Sequence, residues 1–320
     1  MLDQEHREIK YLRLSVTDSC NFRCMYCMDD KTQYDFHTLS IDNIKLIVSN
    51  LNKLGIEKVK ITGGEPLVRE DIALVVRVLK EECNIKEVTL TTNGVLIDKY
   101  LTDLEDAGLD AITVSIDTLD KDKFNKITRR KSFDTVINNI KLLSNSSIKN
   151  IKLNTVPLKE FGESNIIELC KFSKEFNMPI RFIEMMPIGL GKKMQSYDNN
   201  SLLEIISKEF GPYTLSDKVY GNGPATYYNF ANLNINVGLI SALSNKFCES
   251  CNKIRVTSNG HLKQCLHYNY NIDLVSTLKE KSGLEKVKEF VYQKPKEHAF
   301  KDKSIDKEKL ETLHMSEIGG

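Results

Sequence analysis

The chain has 320 residues and carries 45 Lys and Arg against 44 Asp and Glu, which gives a formal net charge of +1. This balance provides no bulk charge to draw the protein onto nucleic acid or a membrane surface, so any basic site must be local. The first ten residues lack the apolar segment of a signal peptide, and no stretch approaches the length of a membrane span. We therefore expect a cytoplasmic protein without nucleic-acid or membrane partners, whose eight cysteines do not form disulfides.

Segments typical of strands and helices alternate through the first 186 residues. Runs of β-branched and apolar residues predict strands at 11–17, 58–62, 87–92, 111–117, 150–156 and 180–186. Apolar periodicity predicts helices at 40–55, 69–82, 97–107, 120–127, 133–145 and 164–176. Ser40 is a candidate N-cap and Gly55 a candidate C-cap of the first helix. Such β–α alternation is typical of parallel strands joined by right-handed crossovers.

Four of these strands carry one cation between two apolar neighbours, at Arg13, Lys60, Lys152 and Arg181. Because side chains alternate along a strand, each cation faces away from its neighbours. If the apolar residues pack beneath outer helices, the cations point into a shared lumen that suits a polyanionic ligand. The pattern favours an α/β fold with a partial (βα)6 TIM-type barrel. The alternative is that the cations lie at edge positions and extend their stems to water.

The pattern changes after residue 190. A helix is predicted at 201–210, and short strands with Gly and Asn turns follow at 225–230, 236–240, 254–258 and 261–266. Two helical stretches precede a charged tail, whose composition is typical of disorder. The predicted organisation is a barrel at 1–190, an α+β extension at 191–300 and a tail at 301–320.

Three cysteines follow the first predicted strand in the stretch CNFRCMYC, at Cys20, Cys24 and Cys27. A short loop with this spacing can turn three thiolates toward one iron–sulfur cluster. A [4Fe–4S] cluster has four corners and is usually held by four cysteines. Three ligands therefore leave one iron open to a ligand that does not come from the protein.

A second triad, Cys248, Cys251 and Cys265, lies in the C-terminal region. It again supplies three ligands and leaves one corner of a cluster open. The alternative is a structural zinc ion, which takes four ligands, and His261 or His267 could complete that set.

The first triad, placed after the first strand of a (βα)6 pattern, resembles the radical S-adenosylmethionine superfamily, in which the open iron binds S-adenosylmethionine. The stretch ITGGEPL at 61–67 is similar to that superfamily's Gly-Gly-Glu-Pro motif, whose backbone meets the methionine amino group. With the stretches LTTNG, VSID and RFIEMM, the second triad and the final Gly-Gly, the chain resembles the GTP 3′,8-cyclase family over nearly its whole length.

The resemblance implies roles for the matching positions, with the two triads as ligands of two [4Fe–4S] clusters. The residues that it places at the S-adenosylmethionine site are Tyr26, Gly64, Ser115 and Met186. The GTP contacts that it implies are Arg13, Lys60, Thr91, Lys152, Lys253, Ile254 and Arg255, with Lys58 and Arg181 as further phosphate candidates. The open iron of the second cluster would bind the guanine of GTP.

The chain departs from the family's pattern at Lys60 and Lys253, where many members have Arg, and at Asp29, where Pro is usual. Lysine binds phosphate as a point charge, without the bidentate fork of arginine. The departures therefore bear on the geometry of the substrate contacts.

By this resemblance the protein is a radical S-adenosylmethionine lyase that converts GTP to (8S)-3′,8-cyclo-7,8-dihydroguanosine 5′-triphosphate, the first step of molybdenum cofactor biosynthesis. It implies an electron donor and a downstream cyclic pyranopterin monophosphate synthase, and a homodimer is the candidate assembly. Two alternatives stay open at this point. One is a peptide-modifying radical S-adenosylmethionine enzyme with an auxiliary cluster, and the other is a non-enzymatic iron–sulfur or zinc protein.

The sequence ends on two glycines, Gly319 and Gly320, after the apolar Ile318. Glycines make a thread thin enough to enter a narrow site. The resemblance implies that this pair reaches into the active site as catalytic residues. We therefore expect the tail to fold back over the mouth of the lumen, against the solvated tail that its composition indicates.

Overall fold

The structure is a computed structural model, and it describes residues 1–29, 36–218, 220–221, 223–300 and 307–319. The first half alternates strands and helices, as predicted. Its strands are β1 (Tyr11–Ser15), β2 (Lys58–Thr62), β3 (Glu87–Thr92), β4 (Ala111–Ser115), β5 (Asn150–Thr155) and β6 (Ile180–Ile183). Its helices are α1 (Ile41–Lys53), α2 (Ile72–Arg77), α3 (Ile97–Asp106), α4 (Lys121–Thr128), α5 (Phe133–Leu143) and α6 (Glu163–Glu175).

The second half begins with a helix and then supplies short strands. These elements are α7 (Asn199–Phe210), β7 (Tyr213–Leu215), β8 (Thr226–Phe230), β9 (Asn236–Ile240), β10 (Lys253–Val256), β11 (His261–Lys263) and β12 (Asn271–Asp273). The last helices are α8 (Leu274–Thr277), α9 (Gly283–Tyr292) and α10 (Met315–Ile318). The sequence patterns did not predict β7, β12 or α10.

Local signals explain both ends of α1, and a change of helix type marks the end of α2. Ser40 accepts a hydrogen bond from the backbone N–H of Asn43 and is the predicted N-cap of α1. Gly55, with φ of +98°, follows the C-cap Leu54. Beyond α2 the chain continues as a π-helical turn, Val78–Glu82, which ends the predicted helix 69–82 in a wider coil than the periodicity indicated.

All described strands belong to one sheet, in the order β12-β11-β10-β1-β2-β3-β4-β5-β6-β9-β8-β7. Strands β1 to β6 pair in parallel, which confirms the predicted partial barrel of (βα)6 type. The C-terminal half then extends the sheet at both edges, because β10 pairs in parallel with β1 and β9 with β6. The extension at 191–300 is thus continuous with the barrel sheet, and its division from 1–190 stays a prediction.

The hydrophobic core lies between the strands and the helices that cover them. Leu12 and Leu14 of β1 and Val59 and Ile61 of β2 are fully buried in this core. Each fully buried aliphatic side chain of this size contributes about 1.5–3 kcal/mol. Because these side chains point toward the helices, the residues that alternate with them along each strand point into the lumen.

None of the helices in the described part of the chain is long and apolar enough to span a membrane.

Candidate active site

A cavity of about 360 Å³ occupies the lumen side of the sheet. All four cations that interrupt the apolar strands, Arg13, Lys60, Lys152 and Arg181, line it. The prediction of a shared cationic lumen is therefore confirmed. Thr91, another predicted contact, also lines the cavity, at the C-terminal end of β3.

The lumen cations are crowded, with Lys152 and Arg181 buried and Arg13 and Lys60 half-buried. Burial and the nearby charges of Arg181, Arg13 and Lys152 hold the pKa of Lys60 well below its ordinary value. Burial and Arg181 lower the pKa of Lys152 to about 8. The Lys60 ammonium and Nη2 of Arg181 both donate to Thr113 Oγ1, at 3.4 and 3.1 Å. A polyanion in this cavity would relieve the mutual repulsion of these groups, since an opposite charge favours their protonated forms.

Strand β10 adds two more cations beside β1. Lys253 and Arg255 line the cavity, with burial lowering the pKa of Lys253 to about 8 and that of Arg255 to about 9. These two residues alternate with buried neighbours, so the strand presents its charged face to the lumen.

Two of the predicted substrate contacts do not present their side chains to the cavity. Ile254 is fully buried in the hydrophobic core, because strand alternation turns it away from Lys253 and Arg255, so only its main chain remains a candidate contact. Lys58 begins β2, forms an ion pair of 3.3 Å with Glu87 and is not among the residues that line the cavity in the described structure.

The first triad lies in the loop after β1. Burial and the neighbouring thiols Cys27 and Cys20 hold the pKa of Cys24 well above its ordinary value. Burial likewise raises the pKa of Cys20 to about 12 and that of Cys27 to about 11. Cys27 also lines the cavity. Since metals bind thiolates, iron binding at these three cysteines would release protons.

Two arginines that sequence reasoning missed hold this loop in shape. Arg129 donates through Nη1 to the carbonyl of Met28 at 3.2 Å and to that of Arg23 at 3.4 Å. Arg130 donates through Nε to the carbonyl of Asn21 at 3.0 Å. The available signal was the basic run that follows α4 in the sequence.

The two glycines of ITGGEPL allow the loop after β2 to pack directly on the backbone that leads to the first triad. A Cβ atom on Gly63 would lie 2.2 Å from the carbonyl oxygen of Thr17. One on Gly64 would lie 2.5 Å from the carbonyl oxygens of Asp18 and Ser19. Gly64 does not line the cavity, and its N–H donates to Thr17 at 2.8 Å. Any larger residue would separate the two loops.

Glu65 of the same motif joins this loop to the end of β3. Its Oε1 accepts from the Leu67 N–H at 3.0 Å and from Thr92 Oγ1 at 2.7 Å, and its Oε2 accepts from the Asn93 N–H at 2.6 Å. Burial raises the pKa of Glu65 to about 7, although the three hydrogen bonds act to lower it. The motif predicted a role for its two glycines, but nothing in its sequence indicated the partners of this carboxylate.

Three predicted S-adenosylmethionine contacts, Tyr26, Ser115 and Met186, line the same cavity as Cys27. The hydroxyl of Tyr26 donates to Asp117 Oδ2 at 2.7 Å, and the Val156 N–H donates to Asp117 Oδ1 at 2.8 Å. Burial raises the pKa of Asp117 to about 6. Asp117 is a further polar group of this site that sequence reasoning quoted in VSID without assigning it.

The second triad lines the same cavity with all three of its cysteines, Cys248, Cys251 and Cys265. Burial favours the neutral thiol of Cys251, yet the cations Lys294 and Lys253 outweigh it and the pKa lies below its ordinary value. Among the described residues, no three His, Cys, Asp or Glu side chains converge as ligands of one metal ion, which a zinc site needs. A [4Fe–4S] cluster binds each thiolate at a different iron and does not require that convergence.

The end of the described tail packs on residues that line the cavity, and its Met315 is itself one of them. Ile318 is buried against Ile188 and Leu266, and Gly319 is in contact with Ser15 and Thr62. Gly320 lies outside the described residues, as do residues 301–306 of the predicted tail.

Comparison with known proteins found matches along nearly the whole chain. Residues 14–173 match the family described as the Radical SAM superfamily, and residues 178–300 match the one described as Molybdenum Cofactor Synthesis C. The chain is 40% identical to a GTP 3′,8-cyclase of Clostridium perfringens (strain 13), over 100% of both chains. It is 36% identical to a GTP 3′,8-cyclase of Lactiplantibacillus plantarum, over 100% of this chain and 99% of the relative.

Solved structures share the fold at low identity. SuiB of Streptococcus suis bound to S-adenosylmethionine superposes with a TM-score of 0.64 at 18% identity, over 89% of this chain and 68% of SuiB. Methylornithine synthase (PylB) gives 0.51 at 19% identity, over 63% of this chain and 61% of PylB. These similarities support the fold class.

Proposed function

Since the chain belongs to the GTP 3′,8-cyclase family of the Radical SAM superfamily, we propose that it binds GTP in the cationic cavity and converts it to (8S)-3′,8-cyclo-7,8-dihydroguanosine 5′-triphosphate. This is the first step of molybdenum cofactor biosynthesis. The single observation that carries the assignment is that one cavity joins Cys27 of the first triad, the lumen cations and all three cysteines of the second triad.

Membership of the Radical SAM superfamily implies S-adenosylmethionine and an iron–sulfur cluster as cofactors. Cys20, Cys24 and Cys27 fit a cluster because they are free thiols gathered in one loop at the edge of the cavity. When bound, the cluster and S-adenosylmethionine supply the 5′-deoxyadenosyl radical that removes a hydrogen atom from the substrate. Tyr26 and Ser115 line the same cavity as Cys27 and would orient S-adenosylmethionine there.

The second triad would hold a second [4Fe–4S] cluster that orients the base of GTP. Its three free cysteines are partly exposed to the cavity and leave one corner of a cluster for a ligand. Lys253 and Arg255 lie on β10, between Cys251 and Cys265 in the sequence, and would contact the nucleotide from the same side.

The lumen cations would hold the triphosphate. Glu87 is the one acidic group among the causes that shift the pKa values of Lys60 and Lys152, and both pKa values are lowered. Such lowering is expected of cations that bind an anionic ligand. Fixing the triphosphate at one end and guanine at the other restricts the ribose between them. This would place C3′ near C8, and such positioning is a large part of the advantage of an intramolecular ring closure.

A peptide-modifying activity is the principal rival. SuiB is described as bound to a precursor peptide, and its similarity in fold reaches a TM-score of 0.61 at 18% identity. The cyclase relatives are twice as similar in sequence and match end to end. A cationic lumen also suits GTP better than a peptide without acidic residues.

The remaining partners follow from the reaction as proposals. The chemistry needs an electron donor, and its product needs an enzyme such as cyclic pyranopterin monophosphate synthase that rearranges the cyclised nucleotide. A cytoplasmic location and a homodimer remain predictions of the same kind.

The decisive experiment is metal and product analysis of anaerobically purified protein. We expect about eight irons per chain, as two cubes require, and formation of the cyclised nucleotide from GTP. Replacing Cys20, Cys24 and Cys27 by Ala should halve the iron and abolish cleavage of S-adenosylmethionine. Replacing the second triad by Ala should also halve the iron but spare that cleavage and abolish cyclisation. Zinc in place of iron, or failure to bind GTP, would refute the proposal.

A further inference from the structure

A buried ion pair precedes the first strand of the barrel. Nε of Arg7 lies 2.6 Å from Asp3 Oδ2, and the two side chains are 6% and 0% exposed. Asp3 Oδ1 also accepts the N–H of Arg7 at 2.9 Å. The carboxylate thereby fixes the direction of the guanidinium, which carries its remaining donors toward the C-terminal half of the chain.

Those donors bind two segments that are distant in sequence. Nη1 of Arg7 donates to the carbonyls of Cys248 and Lys296, both at 2.8 Å, and Nη2 donates to that of Pro295 at 2.8 Å. Cys248 belongs to the second triad, and 294–296 follows α9. A single planar guanidinium thus ties the loop that carries a cluster ligand to the chain beside it.

The segment that Arg7 holds brings one cation to the second triad. Lys294 is 2% exposed, its ammonium donates to the carbonyl of Gln264, and its charge acts on the Cys251 thiol. Gln264 immediately precedes Cys265. Lys294 is therefore placed next to the other two cysteines of the triad, while Arg7 holds Cys248.

We propose that Arg7, oriented by Asp3, is the positioning residue of the second triad: it fixes Cys248 relative to Cys251 and Cys265 and holds Lys294 beside them. The inference rests on the proposed function, because it requires a cluster at this triad. Residues that orient metal ligands from behind commonly change metal affinity by about 10- to 100-fold when they are removed.

The test isolates the second cluster in the full-length chain by changing Cys20, Cys24 and Cys27 to Ala. In this background the rate of iron loss to a chelator and the EPR spectrum of the reduced protein report on the second triad alone. We expect Arg7→Met to accelerate iron loss about 10- to 100-fold and to change the EPR spectrum. Lysine keeps the positive charge but lacks the planar fork of arginine and can bind fewer of these carbonyls, so Arg7→Lys should give an intermediate rate of iron loss. This variant also tests the proposal if Arg7→Met does not fold.

A matched control is Arg69→Met. Arg69 is also buried and donates through Nη1 to two carbonyls, of Val16 at 2.9 Å and Leu39 at 2.6 Å, beyond the C-terminal end of β1. Its loss should destabilise the fold without changing the EPR spectrum or rate of iron loss at the second triad. Asp3→Asn should act in the same direction as Arg7→Met, and the double variant should be no worse than Arg7→Met alone, because the pair acts as a unit.

The possible failures are distinguishable. If the protein that lacks only the first triad holds no iron, the proposed second cluster is wrong and the inference about Arg7 is refuted with it. If that background holds about four irons, and Arg7→Met and Arg7→Lys match Arg69→Met in iron loss and spectrum, the cluster stands and only the role of Arg7 is refuted.

Discussion

Nη1 of Arg255 donates a hydrogen bond of 2.8 Å to the backbone carbonyl of Gly319. Arg255 lies on β10, on the face that lines the cavity, and Gly319 lies against Ser15 and Thr62 at the C-terminal ends of β1 and β2. The C-terminal end of parallel strands is where barrels of this kind place their chemistry. The tail is thus joined to a residue of the proposed substrate site.

The fit of Gly319 predicts that Gly319→Ala will impair cyclisation more than binding. A Cβ atom there would lie 2.8 Å from Ser15 Cβ and 2.9 Å from Thr62 Oγ1, and φ is +79°. The tail must shift, and misplacement by about 1 Å can reduce turnover about 100-fold. Iron content and GTP affinity should stay near the unchanged values, since no cluster ligand is lost. The measurement is cyclised nucleotide formed per 5′-deoxyadenosine released.

Gly162→Ala is the matched control for this substitution. Gly162 has a similar φ of +80°, but nothing lies within 4 Å of the added Cβ atom. Its ψ of 171° differs from the 81° of Gly319, so Gly162→Ala introduces positive-φ backbone strain of its own without the steric conflict. Equal ratios of product to 5′-deoxyadenosine in the two variants would show that the close packing of Gly319 on Ser15 and Thr62 does not affect the reaction. Deleting Gly319 and Gly320 together should reproduce the loss of cyclisation.

The sequence predicted the barrel well because period and composition are local properties. The strands β2, β3 and β9 and the N-cap Ser40 are where the residue pattern placed them. The cationic lumen could be predicted because alternation along a strand decides on which side Lys60 or Arg181 lies. The attachment of β9 and β10 to opposite edges of the barrel sheet could not, because pairing between distant segments leaves no periodic signal.

The parts of the site that escaped prediction are those whose function depends on tertiary contacts. Glu65, Asp117 and Arg7 each act by accepting from or donating to backbone groups on other elements. A sequence pattern gives the identity of such a residue but not the neighbours that give it a role. Ile254 is the opposite case. The resemblance placed it among the GTP contacts, but the alternation of side chains along β10 turns its side chain into the core.

The lowered pKa of Lys152 predicts a pH-dependent affinity for GTP. Burial and Arg181 bring this pKa to about 8, so the ammonium is charged below pH 8 and loses its charge above it. A triphosphate binds the charged form, and the affinity should therefore fall by up to about tenfold between pH 8 and 9. Lys152→Arg, which stays charged, should show a shallower decline. Calorimetric titration at several pH values provides the comparison, and parallel curves for the two proteins would contradict this role of Lys152.

The hydrogen bonds of Glu65 predict that even Glu65→Gln destabilises the fold. Both carboxylate oxygens accept from N–H or O–H donors, so either orientation of the amide would turn its NH2 group toward a donor. Leaving such buried groups unsatisfied costs about 1–3 kcal/mol. Thermal unfolding should show a fall in Tm of several degrees, with weakened binding of S-adenosylmethionine. The partly exposed Glu57, which pairs with Lys86, is the control, and an equal Tm for Glu65→Gln and Glu57→Gln would disprove the bridging role.

The anchoring of the tail depends on a second buried ion pair, between Lys263 of β11 and Glu311. Their charged atoms are 2.5 Å apart, and the side chains are 2% and 3% exposed. The Glu311 N–H also donates to the carbonyl of His267 at 2.9 Å, which lays the tail along the chain after β11. Removing one partner of such a pair leaves an uncompensated buried charge, at a cost of about 3–5 kcal/mol.

Because this cost falls on the docking of the tail, we expect Glu311→Gln to release residues near it locally while the barrel remains folded. Limited proteolysis followed by mass spectrometry should detect cleavage in the tail, and cyclised product should fall with it while iron content holds. Replacing the pair by apolar residues, Lys263→Met with Glu311→Leu, should restore protection, since a well-packed apolar pair is often as stable as the ions it replaces. If Glu311→Gln resists the protease and cyclises GTP like the unchanged protein, the pair does not anchor the tail.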